Sequence, residues 1–311
     1  MSKVFKFLSR FKLFIILIRL TKRIYIPGFE GLPLFDVSNF FYKGMKNGAI
    51  NTRASSLAFK FFLALFPAII FLFTMIAFIP AKGFQDELMF FIKNLLPDNA
   101  YSLASTTITD IIKHQHGGLL SVTFIVSIYL STNGINAMIN AFNKSHHYIE
   151  TRKPIQQYVV SLILVFAFAI MVIISISLVV FTEYVLHQMA HWGLIKTKGI
   201  VLMVRTGRWI IICVLFFLSI SFLYYLGPAK KNNWRFISAG STLATLLSLI
   251  TSIGFTYYVN NFASYNKVYG SIGTLIVILL WIYFNSMILL IGFELNASID
   301  NAKKSSGKIE I

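Results

Sequence analysis

The chain has 311 residues, of which 57% are hydrophobic and only 13% charged, with a mean hydropathy of +0.73. A soluble globular domain carries about half apolar and a quarter charged residues, so an ordinary soluble fold is excluded. The formal charge of +17 sits between apolar runs, which points to membrane orientation ahead of nucleic-acid binding.

The first segment, "MSKVFKFLSRFKLFIILIRLTKRI", predicts an amphipathic helix lying on the membrane, with Lys3, Lys6, Arg10 and Lys12 meeting anionic headgroups. Its apolar core is only about eight residues and no small-residue cleavage site follows, which argues against a cleaved signal peptide. The next stretch, "DVSNFFYKGMKNGAINTRASS", predicts a second interfacial helix capped by Asp36 or Ser38 and running toward Gly48.

A hydrocarbon core about 30 Å thick needs roughly 20 apolar residues in a helix. Six windows meet this, at 54–79, 119–141, 157–181, 200–226, 237–259 and 271–295. The expected fold is therefore all-α, a polytopic membrane protein of six transmembrane helices (54–296). A basic, amphipathic N-terminal region (1–53) precedes it and a basic tail (297–311) follows. The loop at 80–118 carries Asp86, Glu87, Asp98 and Asp110 and forms the main element on the far side.

With six spans, Lys144, Arg152, Lys153, Lys230, Lys231, Arg235, Lys303, Lys304 and Lys308 share a side with the basic N-terminal region. The opposite side holds only Lys82, Lys93, Lys113, Lys196, Lys198 and Lys267. The positive-inside rule then places both termini in the cytoplasm.

The second span, "SVTFIVSIYLSTNGINAMINAFN", sets Asn133, Asn136, Asn140 and Asn143 on one helical face, with Ser127, Ser131 and Thr132 nearby. Amides are costly against hydrocarbon, so this face meets protein or water. It serves either as an interhelical hydrogen-bonding seam or as a wall of a polar solute path. In the fifth span Gly240, Ala244, Ser248, Ser252 and Thr256 recur every four residues, the pattern of a close helix contact.

Charges inside the spans are Lys60, Glu183, Arg205, Arg208 and Glu294. Such groups pair, face a polar cavity or snorkel. Glu294, in "GFELNA", lies at a depth that Lys60 can reach, with Arg53 at the interface as the other candidate partner; Glu183 can meet Arg205 and Arg208.

Cys213, the single cysteine, lies in an apolar run and reads as packing. His187 and His191 have a metal-compatible i, i+4 spacing, yet no acid or cysteine joins them in sequence. "HQH" at 114–116 lacks a downstream Asp-His, and no phosphate-binding loop or nucleophile elbow is present. No cofactor, metal or catalytic residue is predicted.

Four stretches together carry a family resemblance: "NTRASSLAFKFFLALFPAIIFLFTMIAFIP", "AFNKSHHYIETRKPIQQYVVSL", "LYYLGPAKKNNWRFISAGSTLATLL" and "NNFASYNKVYGSIGTLIVILLWIYFNSMILLIGFELNA". From about Asp36 to Ala297 the chain resembles the YihY/BrkB family of bacterial inner-membrane proteins. Arg53, Glu150, Arg152, Tyr265, Asn266, Tyr269 and Gly270 stand at family-motif positions. The resemblance implies six helices in the bacterial inner membrane, both termini inside, and transport or handling of an envelope-related solute or lipid. Glu294 matches the family's closing Glu-Leu-Asn, whereas the family more often has an uncharged residue where Lys60 stands. The alternative is a membrane scaffold recruiting partners or anionic lipid. A homo-oligomer is compatible with either reading. The family's tRNA-processing ribonuclease label finds no nuclease site here, and nucleic acid is not expected as a partner.

Overall fold

The computed structural model describes residues 21–47, 49–76, 109, 117–144, 152–191, 198–229, 236–261 and 271–306. Seven long helices order these residues: α1 (Leu34–Asn47), α2 (Ile50–Ile76), α3 (Gly117–Asn143), α4 (Pro154–His191), α5 (Lys198–Leu226), α6 (Ala239–Asn261) and α7 (Ser271–Ser305). The described residues hold no strand, only an isolated antiparallel bridge between Tyr25 and Pro33. All helices but α1 are long and apolar enough to cross a membrane.

Large apolar side chains such as Ile125, Met203 and Ile253 are at least two-thirds exposed. For a soluble protein this would be an aggregation hazard. For a spanning helix it is the lipid face, since the helix satisfies its own backbone groups.

Several elements run beyond the predicted spans. Helix α4 covers 154–191 where 157–181 was expected, and α7 continues through Ala297, Ser298, Ile299 and Asp300 to Ser305. Those four residues are buried, so protein packing rather than hydropathy sets where α7 ends. Helix α1 starts at Leu34, ahead of both proposed caps. Asp36 falls in its first turn, and the Ser38 hydroxyl donates back to Leu34 O at 2.7 Å, an interior hydrogen bond instead of a cap.

The chain divides into two compact units. The first comprises Met1–Arg53, Met138–Thr251 and Met287–Ile311. Its apolar core seats Phe29, Leu32 and Val37 on Leu295, Ile299 and Ala302 of α7. The turn carrying Phe29 uses Gly28 (φ 95°) and Gly31 (φ 74°), a left-handed backbone that glycine adopts at least cost. Glu30 on that turn accepts from Lys303 Nζ at 2.7 Å. In the same unit α6 and α7 approach so closely that a Cβ on Gly240 would strike Gly292 O, and one on Gly292 would lie 2.6 Å from the Tyr224 hydroxyl. The predicted stripe on α6 is buried at Gly240, Ala244 and Ser248 and opens beyond them, Thr256 being exposed.

The second unit comprises Ala54–Ala137 and Ser252–Ser286. Here Phe61 of α2 rests on Gly134 of α3, 3.0 Å from where a Cβ would stand. Phe71 and Phe124 pack at 5.2 Å between ring centroids. Helix α2 runs through Pro67 without interruption, which membrane helices tolerate.

Candidate functional site

In the first unit, polar side chains gather where α3, α5 and α7 end and where α2, α4 and α6 begin. Asn143, buried at the end of α3, accepts from Ala229 N–H at 3.1 Å and donates to Gln157 Oε1 at 3.4 Å. Gln157 Nε2 in turn donates to Asn140 Oδ1 at 3.0 Å. Two of the four predicted amides are thereby joined to α4 and to the segment after α5.

Two arginines close helix C-termini in the same region. Arg53 Nη1 donates to Ala141 O of α3 at 2.7 Å. Arg152 donates to Leu226 O, Gly227 O and Pro228 O at 3.0, 3.1 and 2.6 Å. A guanidinium suits this place, because the last carbonyls of a helix lack intrahelical partners and carry partial negative charge. Burial lowers the Arg152 pKa from the usual arginine value, and arginine starts so far above neutrality that the charge is retained.

Glu294 is 1% exposed. Arg53 lies within Coulombic range of it, and the carboxylate packs so tightly on Gly44 of α1 that a Cβ there would overlap Oε1. Lys60 presents an exposed side chain. Beside Glu294, Phe293 stacks on Phe142 at 4.2 Å with ring planes 5° apart, and Tyr224 meets both rings edge-on. The Tyr224 hydroxyl donates to Leu289 O at 2.6 Å. One residue past Leu295, Asn296 Oδ1 accepts from Gly240 N–H at 2.8 Å and its Nδ2 donates to Ser238 Oγ at 2.9 Å, so an α7 side chain caps α6.

The remainder of the α3 face lies in the second unit. Asn133, Asn136 and Ser131 are half-buried, and Thr132 is fully buried. The hydroxyls of Thr132 and Ser127 are buried with no hydrogen-bond partner among the described residues. At the far end of the α4–α5 pair, Glu183 Oε1 accepts from Arg208 Nη1 at 2.7 Å and Oε2 from Arg205 Nη2 at 3.0 Å. Glu150, Tyr265, Asn266, Tyr269 and Gly270 lie outside the described residues, as do Lys3, Lys6, Arg10 and Lys12. No group of three or more His, Cys, Asp or Glu side chains with metal-binding geometry occurs among the described residues.

Gln157, Tyr224, Gly44 and Asn296 were not singled out from the sequence. Gln157 had a visible signal, a polar side chain one turn before Ser161 at the start of an apolar run. Asn296 had another, in its place directly after Glu294 and Leu295.

Six apolar helices whose ends on one side are tied by amides and guanidiniums define a multi-pass α-helical membrane protein. The chain belongs to the family described as "Virulence factor BrkB", whose model matches residues 41–310. It is 30% identical over 254 residues to the ribonuclease-like protein YfkH of Bacillus subtilis (strain 168), covering 81% of this chain and 91% of that one. It is 24% identical over 274 residues to the UPF0761 membrane protein NTHI0384 of Haemophilus influenzae (strain 86-028NP), covering 86% and 97%. A UPF0761 membrane protein of Alteromonas mediterranea is 26% identical over 285 residues, covering 86% and 89%. No solved structure matches the chain.

Proposed function

We propose that this protein moves or handles an envelope-related solute or lipid across the bacterial inner membrane, both termini cytoplasmic, along the inner part of the α3 polar face. The observation that carries this is the Thr132 hydroxyl, one turn before Asn136 at the edge of that face, which is buried with no hydrogen-bond partner among the described residues; Asn140 and Asn143, nearer the helix end, are engaged by Gln157 and Ala229. Asn133 lies ten residues from the end of α3, about 15 Å along the axis and half of a 30 Å hydrocarbon core.

A buried hydroxyl left unpaired costs about 1–3 kcal/mol, a cost that a polar solute or water would relieve. Amides and hydroxyls hydrogen-bond a passing solute, and a hydroxyl needs an adjacent general base to act as a nucleophile, which none of the named residues of this face supplies, so the reading is non-enzymatic. The excess of lysine and arginine on the N-terminal side supports the orientation.

The test is cysteine accessibility in a Cys213→Ser background. Asn133→Cys and Asn136→Cys should react with a membrane-impermeant maleimide, while Ile163→Cys on α4 and Ile250→Cys on α6, exposed apolar positions at mid-span, should not. If the two asparagine sites stay as inert as the Ile163 and Ile250 sites, the pathway reading is abandoned.

A further inference from the structure

The Glu183–Arg205–Arg208 cluster lies at the opposite end of the α4–α5 pair from Gln157 and Arg152. Its charge does not close: two guanidiniums share one carboxylate, each through a single ion-pair contact. A guanidinium has five N–H donors. Arg208 is only 10% exposed and its Nε is buried without a partner among the described residues. Arg205 is 52% exposed and makes one ion-pair contact among the described residues.

Position makes the surplus charge informative. From Leu226, whose carbonyl Arg152 holds, α5 rises about 27 Å to Arg208 and about 32 Å to Arg205 at 1.5 Å per residue. A hydrocarbon core about 30 Å thick ends between them. The cluster therefore sits at the boundary of the leaflet opposite the basic loops, where a net positive charge meets lipid headgroups. Leu202 and Trp209 stand three residues before and four after Arg205, on its helical face, exposed by 68% and 58%. Trp209 also lies 5.8 Å from the Arg208 guanidinium. An apolar residue and an indole flanking a half-exposed fork suit an acyl chain and a headgroup together, and arginine forks match phosphate oxygens bidentately.

We infer that Arg205 and Arg208, which share the single Glu183 carboxylate, bind the phosphodiester headgroup of an anionic lipid in that leaflet. Arg205 makes the main phosphate contact, Glu183 neutralises one of the two positive charges, and Leu202 and Trp209 border the lipid.

The experiment is native mass spectrometry of the full chain released from detergent, titrated with phosphatidylglycerol or with phosphatidylcholine of the same acyl chains. Competing arms contain inorganic phosphate or glycerol phosphate. Phosphatidylglycerol should bind in preference. Arg205→Gln, at a half-exposed position, should weaken it about tenfold, the equivalent of one charge-assisted hydrogen bond. Arg205→Gln with Arg208→Gln should erase the preference. Glu183→Gln separates binding from a purely structural ion pair: phosphatidylglycerol affinity should be kept or increased, because both forks are released. Equal binding of the two lipids overturns the inference, as does unchanged affinity in Arg205→Gln or loss of affinity in Glu183→Gln. Displacement by inorganic phosphate at the lipid's own concentration also overturns it, by assigning the site to a soluble anion.

Discussion

The contact between α1 and Glu294 predicts a large coupling between two residues 250 positions apart in sequence. Replacing Gly44 by alanine in an otherwise unconstrained helix should stabilise it by about 0.5–1 kcal/mol. Here the added Cβ would overlap Glu294 Oε1 and stand 2.6 Å from Cδ and 2.8 Å from Cγ. The carboxylate is the mobile end of its side chain, but it is buried and within Coulombic range of Arg53, so moving aside separates charges in a poorly hydrated place. Overpacking costs about 1–3 kcal/mol, and moving the carboxylate away from Arg53 adds to it. Gly44→Ala should therefore lose about 1–3 kcal/mol net of the propensity gain. In a Glu294→Ala background all three clashing atoms are gone, and the same Gly44→Ala change should be neutral or stabilising by about 0.5–1 kcal/mol. The measurement is a double-mutant cycle from reversible SDS unfolding in mixed micelles, followed by circular dichroism. Gly44→Ala costing the same in both backgrounds would refute the seating of α1 on Glu294.

Three further outcomes follow from the same geometry. Gly240→Ala should destabilise by about 2–3 kcal/mol, because the Cβ meets Gly292 O and the Asn296 side chain; Gly254→Ala on the same helix, with nothing within 4 Å, should be neutral or stabilising in the same unfolding assay. Arg152→Ala should cost about 3 kcal/mol by stranding the carbonyls at the end of α5, and Arg152→Lys should restore less than half of it, since an ammonium cannot fork across three acceptors. Asn143→Leu should lose about 2 kcal/mol by removing the acceptor of Ala229 N–H and the donor to Gln157 Oε1, whereas Asn133→Leu should not lower stability and, if the pathway reading holds, should abolish function scored by complementation of a deletion strain.

The helix inventory was legible because each span announces itself by length and apolar content. The four asparagines of α3 stood out for the same reason, as amides in an apolar run. What each amide touches was not legible. Gln157 and Ala229, the partners of Asn140 and Asn143, lie 14 to 86 residues away. The acceptors of Arg53 and Arg152 are backbone carbonyls, which every residue carries alike, so nothing in the letters marks Ala141 or Pro228. Arg53 and Lys60 are seven residues apart, two helical turns on nearly one face, so the sequence left both as candidate partners of Glu294, with depth counted from a span start at Ala54 suggesting Lys60. Helix α2 begins earlier, at Ile50, and Arg53, in the first unit with Glu294, lies within Coulombic range of it.

Arg53 reaches two groups at once, the Ala141 carbonyl through Nη1 and the Glu294 carboxylate through space. Ala141 follows Asn140 directly and precedes Asn143 by two residues, the two amides that Gln157 and Ala229 engage. Helix α3 is thus held at this end by a charged fork and by two amide contacts, and α7 by the same fork's field, by Asn296 and by the Phe142–Phe293 stack. A conformational change that repositions α3 must break or carry these contacts as a group. Any such motion should therefore be more sensitive to Arg53→Ala than to loss of Asn140 or Gln157 alone, because the fork is the element shared by both helices.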